Sequence, residues 1–290
     1  MMAVKNSLQR IIPGRRVNPD GTQQQQKRDV VKNITGVPAP DSPVIIHGDN
    51  WPLVEGLRHL GKEVPQERPV YTSHTPSELL TLIYEHPNAG LILCLRPREH
   101  IFLFYALSGF LRYTQATVVC DSMYFTDRVV MEMWNSIPAV IPLWGTLHGR
   151  ELSATGKRIF MSLFTPGCSS VLPAPLFSGI FHDENDLIDA MNLCLQEYMA
   201  RAGVSVFQHN ILKGLLEGKT ASCIAEDMGV SPDKIENHKS MMFRRLGMPT
   251  FPHAILYGMK FHSALQRTFF KESNRLCITA NKVVLSDRVV

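Results

Sequence analysis

ASCIAEDMGVSPDKIENHKSMMFRRLG, residues 221–247, decides the fold of the carboxy-terminal part of this chain. Gly229 supplies the left-handed backbone that ends a helix begun near Ala221. Val230 can staple the turn, Ser231 caps the next helix and Pro232 sits at its first position. Asp233 complements the positive end of that helix. At about 100° per residue, Ile235, Met242 and Leu246 share one face, with His238 and Lys239 at its edges. Asp233, Asn237, Ser240 and Arg244 point the other way, with Glu236 between, and Gly247 stops the helix. Two helices joined by a four-residue glycine turn make a helix-turn-helix. The second has an apolar back and a polar front, which suits the major groove of DNA. A helical hairpin with a solvated face is the competing reading.

Upstream lies GLLEGKTAS (214–222), which imitates a phosphate-binding loop. That loop needs four residues between its glycines and a strand before it. Here three residues separate Gly214 from Gly218, and Ile211, Leu212, Leu215 and Leu216 follow helical spacing. Gly218 therefore ends a helix, and Thr220 caps the one that follows.

Residues 204–258 resemble the DNA-binding domain of the LuxR/NarL family of bacterial transcription regulators: VSVFQHNILKGLLEGKTASCIAEDMGVSPDKIENHKSMMFRRLG (204–247) stands against a family pattern of roughly LTxREREVLxLLAEGxSNKEIAxxLxISxxTVKxHxxxIxxKLG. The residues that carry the resemblance are Ile211, Leu212, Gly218, Ile224, Ala225, Ser231, Pro232, Ile235, Asn237, His238, Arg245, Leu246 and Gly247. Gln208, Lys234 and Glu236 depart from the pattern and put the usual base preference in doubt. The resemblance implies an all-α four-helix LuxR-type domain, with PHAILYGMKFHSAL (252–265) as the fourth helix and dimer contact. It implies Glu236, Asn237 and Ser240 facing bases, with Lys239 at the edge. It also implies phosphate contacts from Lys219, Thr220, Ser231, Lys234, Arg244 and Arg245. Residues 206–262 carry seven Lys and Arg against five Asp and Glu. One copy should bind double-stranded DNA weakly, because affinity rests largely on phosphate neutralisation. Two copies on adjacent half-sites are expected.

Residues 43–145 alternate strands and helices: PVIIHGD and PLVEGLRHLGK, RPVYTS and PSELLTLIYEH, AGLILCL and REHIFLFYALSGFL, ATVVCDS and TDRVVMEMWNS, then AVIPLW. This pattern implies an α/β domain with a parallel sheet covered on both faces, order 2-1-3-4-5. VIIHGDNWPLVEGLRHL (44–60) resembles the opening of the family's flavodoxin-like receiver domain. A working receiver needs an acidic pair for Mg²⁺, a phosphorylatable Asp after strand three and a Lys after strand five. Here the pair has become Asp49-Asn50, the strand-three position falls on Cys94, strand four ends at Asp121, and strand five has no lysine. The site is degenerate: neither phosphorylation, a metal nor a cofactor is expected, and Cys94 reads as a buried, inert thiol rather than a redox sensor. The resemblance implies a regulator, not an enzyme. Its partner would be a second copy or another LuxR/NarL-type response regulator, with RNA polymerase as a further contact. Enteric auxiliary regulators with degenerate receivers behave this way. A small-signal-binding regulator of the quorum-sensing type and an ATPase are the alternatives.

The expected organisation is a disordered basic arm (1–42), the receiver-like domain (43–200) with an insertion near 146–181, the DNA-binding domain (201–265) and a tail (266–290). Within the insertion, KRIFMSLF reads as a short helix, and SSVLPAP as an alternative fifth strand. The arm reads as a solvated leader in preference to one that touches phosphates. The 290 residues are 44% hydrophobic and 19% charged, with a net charge of +4, which permits nucleic acid without requiring it. The six cysteines show no metal-ligand spacing, as expected of reduced thiols in a cytoplasm. No apolar run approaches the roughly 20 residues of a membrane span, so a cytoplasmic, nucleoid-associated protein is expected.

Overall fold

The computed structural model describes residues 42–62, 68–111, 116–120, 122–134, 136–140 and 181–270. Five strands form one sheet: β1 (Val44–Gly48), β2 (Val70–Ser73), β3 (Gly90–Cys94), β4 (Ala116–Cys120) and β5 (Ser136–Val140). Their order is β2-β1-β3-β4-β5, and every neighbouring pair is parallel. The topology is the expected one. Strands β1, β3 and β4 are short apolar runs because both sheet faces are covered.

The side-chain alternation of the strands sorts the residues into two layers. Val44, Ile46, Ile92, Cys94 and Val119 face α1 (Trp51–Lys62), through Val54 and Leu57. Ile45, Leu91, Leu93, Ala116 and Val118 face the opposite, larger core. That core receives Leu79 and Ile83 of α2 (Pro76–Glu85), α3 (Ile101–Ala106), α4 (Ser108–Leu111) and α5 (Phe125–Met133). Gly48 lies against β3 so closely that a Cβ there would come within 2.4 Å of the Cys94 carbonyl oxygen.

Several element bounds differ from expectation. The helix expected over REHIFLFYALSGFL is a 3-10 turn, Pro97–Glu99, followed by α3 and α4. His100 (φ −133°, ψ 32°) separates the first two, and the chain bends again at Leu107. The strand expected at AVIPLW begins earlier, at Ser136, and α5 ends at Met133. Pro138 lies in β5, an edge strand of the described sheet, which is where strands tolerate proline. Asp121, KRIFMSLF, SSVLPAP, the arm at 1–41 and the tail beyond 270 lie outside the described residues.

Five further helices follow: α6 (Glu184–Arg201), α7 (Val206–Leu216), α8 (Ala221–Met228), α9 (Pro232–Arg245) and α10 (Pro252–Gly258). Asp183 caps α6, and Ser205 caps α7 through a capping box with Gln208. Helix α10, expected over 252–265, is shorter than expected. Beyond Gly258 the Asn192 side chain pairs with the backbone of Phe261, accepting from its N–H at 2.9 Å and donating to its carbonyl at 3.1 Å. Those bonds replace the helical ones that residues 259–262 would have made.

The large core does not stop at the sheet. It continues through Leu187, Met191, Leu195 and Met199 of α6 into Met242, Phe243 and Leu246 and on to Ile255 and Phe261. A smaller core of Ile211, Ile224, Ala225 and Ile235 joins α7, α8 and α9. No helix among the described residues is long and apolar enough to cross a membrane.

Candidate nucleic-acid interface

The helix-turn-helix is built by local signals. Thr220 Oγ1 accepts from the Cys223 N–H at 3.3 Å, and Ser231 Oγ from the Lys234 N–H at 3.4 Å. Gly229, at φ 64°, closes α8 and hands the chain to Ser231. Gly214 lets α8 cross close to α7, since a Cβ there would meet Ile224 Cγ1 at 2.7 Å. Gly218 sits at φ 80° in the turn, so Lys219 follows a helix end and not a strand.

Helix α9 is sided. Ile235, Met242, Phe243 and Leu246 are buried, and His238 and Lys239 are half-buried at the edges. Asp233, Lys234, Glu236, Asn237, Ser240, Met241 and Arg244 are exposed. The apolar back divides between the two cores: Ile235 enters the small helical one, and Met242, Phe243 and Leu246 the one shared with the sheet. Phe243 was missed by the face drawn through Ile235, Met242 and Leu246. It lies roughly 100° from Met242 on the wheel and is fully buried because a second core covers that side.

The remaining candidate side chains have partners of their own. Lys239 Nζ bonds Glu236 at 2.7 Å, so these two side chains at the edge of the polar face form a unit. Lys219 Nζ is 2.9 Å from Asp227 and 3.3 Å from Glu217, and these carboxylates raise its pKa. Lys234 Nζ lies 5.3 Å from the centre of the Phe207 ring. Arg245 donates to the carbonyl of Gly203, at the end of α6. Arg244 is exposed on the polar side with Asn237 and Ser240.

Gln208 stands where the family pattern has an acid, and the structure explains what the amide does. Its Oε1 accepts from the Ser205 N–H at 3.1 Å, completing the cap of α7. Its Nε2 donates to the His238 carbonyl on α9 at 3.2 Å, which a carboxylate could not do. Gln208 therefore ties α7 to the candidate groove helix. At the other end of that helix, Arg128 of α5 donates to the carbonyls of Leu246 and Gly247. The N–H of Phe125 contacts Met248 Sδ at 3.0 Å.

The residues expected to form a degenerate receiver site lie, where described, at the carboxyl ends of β1 and β3. Asp49, Asn50, Trp51, Cys94, Arg96, Glu99, Cys120 and Arg267 border a cavity of about 510 Å³ there. Asp49 and Asn50 follow β1, and Cys94 ends β3. Burial, aided by the Asp49 carboxylate, pushes the Cys94 thiol far above its ordinary range. Asp49 is held well below the usual carboxylate range, chiefly by His100, whose Nε2 is 3.7 Å away, and then by Arg267. Burial lowers the His47 imidazole to about 4, and its Nδ1 lies 3.0 Å from Ser73 Oγ. Among the described residues no group of three or more His, Cys, Asp or Glu could hold a metal ion.

Residues 207–257 match the family model of bacterial regulatory proteins, luxR family. Among curated proteins no sequence matches this chain. Among solved structures, the chain is similar to the RcsB response regulator of Salmonella typhimurium, at 14% identity over 75% of this chain and 97% of that one, with a TM-score of 0.32. It is also similar to RcsB of Salmonella enterica serovar Typhimurium bound to the rprA promoter in the presence of phosphomimetic BeF3⁻. That match has 13% identity over 75% of this chain and 98% of that one, with a TM-score of 0.29.

Proposed function

Starting from a chain whose carboxy-terminal residues 207–257 form a LuxR-family regulatory domain, we propose that it is a sequence-specific DNA-binding transcription regulator. The observation that carries this is α9 itself. A capped fourteen-residue helix is held from behind by two cores and presents Asn237, Ser240 and Arg244 to solvent. Asn237 is the residue suited to an adenine edge, and Ser240 can address any base. Glu236 accepts from a cytosine amine once Lys239 releases it, and the Glu236–Lys239 pair therefore reads as one edge unit. Lys234 and Arg244 neutralise phosphates, while Thr220 and Ser231 address them from the two helix starts. Lys219 reaches a phosphate by exchanging Asp227, and Arg245 by exchanging the Gly203 carbonyl.

The receiver-like domain then acts without phosphoryl transfer, as a protein–protein module. It serves a homodimer or an auxiliary pairing with a complete response regulator, and RNA polymerase is the further partner. Cys94 stands at the end of β3 as a buried thiol held in its neutral form, so no carboxylate receives a phosphoryl group there. The cavity beside it is bordered by Asp49, Arg96, Glu99 and Arg267.

Fluorescence anisotropy against a randomised duplex library tests the DNA assignment. Asn237→Ala should relax sequence preference. Arg244→Ala should weaken binding to all sequences and reduce the salt slope by about 1. If both substitutions leave affinity and preference unchanged, α9 does not enter the groove. Radiolabelled acetyl phosphate with Mg²⁺ should leave the chain unlabelled, and label that hydroxylamine releases would overturn the phosphorylation-independent assignment.

A further inference from the structure

The segment that follows the helical domain returns to the sheet. Its contacts run in step with residues 98–105. Gln266 Oε1 accepts from the Ile101 N–H at 2.9 Å, and its Nε2 donates to the Arg98 carbonyl at 2.9 Å. The Arg267 N–H donates to the Glu99 carbonyl at 2.8 Å. Thr268 Oγ1 lies 3.2 Å from His100 Nδ1. Phe270 packs edge-on against Phe102 and stacks on Tyr105, with centroid distances of 5.4 and 6.2 Å. Four of the five residues from Gln266 to Phe270 thus address one short stretch of the α/β domain, although nothing in local sequence pairs them.

Arg267 is the centre of this docking. Its Nη1 bonds the Asp49 carboxylate, and its Nε lies 2.9 Å from Glu99 Oε2. The two carboxylates come from different elements, one after β1 and one from the 3-10 turn after β3, and they converge on a single planar cation. Other cations also approach these carboxylates. Arg98 bonds the buried Asp127 at 2.5 Å and lies 3.4 Å from Glu99. Arg96 is 3.5 Å from Glu99 at the rim, and His100 Nε2 is 3.7 Å from Asp49. A flat guanidinium, with donors on two edges, can bridge two carboxylates that a point charge on a lysine would have to choose between.

We propose that the crevice at the carboxyl ends of β1 and β3 is a guanidinium-binding site whose ligand is the chain's own Arg267, and that its occupancy fastens the segment after the helical domain onto the α/β domain. The residue kept from the acidic pair, Asp49, thereby holds a cation supplied from 218 positions away. Losing Arg267 loosens segment 259–270 while leaving α9 and its caps intact.

Backbone amide exchange of the full-length chain tests this, read at the Ile101 and Arg267 amides, whose acceptors are Gln266 Oε1 and the Glu99 carbonyl. Arg267→Ala and Asp49→Asn should each speed exchange at both amides by about tenfold, the scale of losing one charge-assisted hydrogen bond. Arg267 is half exposed, so its truncation leaves no cavity in a core. Arg267→Lys keeps the charge and the covalent link but can meet only one of the two carboxylates, so it should recover only part of the protection. Unchanged exchange in Arg267→Ala would overturn the proposal, as would full protection in Arg267→Lys. DNA binding is measured in no arm, so failure here is separable from failure of the groove assignment.

Discussion

Acidification should weaken the folded chain through one buried imidazole, and the size of the effect follows from its surroundings. His47 points into the sheet core from β1, with Ser73 Oγ 3.0 Å away. Burial first, and then the charge of His100, lowers its pKa from 6.5 to about 4, against the opposing pull of Asp49. A folded-state pKa below the unfolded value means that the unfolded chain takes up the proton first. Stability from the neutral imidazole is complete above pH 6.5 and falls as the pH drops from 6.5 towards 4. The full shift corresponds to about 3 kcal/mol, of which about 2 kcal/mol is already lost at pH 5. Asp49, whose pKa is depressed, contributes stability that disappears only at lower pH, so the window from 6.5 to 5 belongs to His47. The other two histidines that face it are His100 and His74. The assay is urea unfolding of wild type and His47→Asn at pH 7.5, 6 and 5; asparagine keeps a polar group for Ser73 and does not titrate. The variant should be less stable at pH 7.5 and should lose about 2 kcal/mol less than wild type on going to pH 5. Parallel loss in the two proteins would refute a buried neutral imidazole at this position.

Asp127→Ala should destabilise by about 3–5 kcal/mol in the same urea assay, because it leaves Arg98 buried without its carboxylate and two N–H groups without an acceptor. Phe243→Ala should cost about 3–5 kcal/mol. Thermal unfolding should show the sheet and helical regions both affected, since the ring sits in their shared core. Gly48→Ala should cost about 1–3 kcal/mol, as the added methyl would press on the Cys94 carbonyl and spread β1 from β3. The same substitution at Gly56, where a Cβ meets nothing within 4 Å, should be neutral or slightly stabilising and serves as its control.

Much of the candidate interface was legible because its determinants act within one helical turn. Thr220, Gly229, Ser231 and Pro232 each cap, end or begin a helix through their own backbone or a neighbour three residues away. The strand order followed from five apolar runs separated by helical periods, since right-handed crossovers leave few alternatives. Helical periodicity sorted the polar face of α9 from most of its back. It could not place Phe243, because one amphipathic stripe does not announce a second core arriving from the sheet. It also could not foresee that Gln208 would hold the His238 carbonyl.

The sequence by itself determined most of the helices, the Thr220 and Ser231 caps and the parallel sheet. Tertiary structure alone decided that Arg128 and Arg245 would close helix ends outside their own helices, and that Arg267 would meet Asp49 across 218 positions. The physical reason is range: caps and periodicities are written in neighbouring residues, whereas an ion pair between distant segments exists only once the intervening chain has packed.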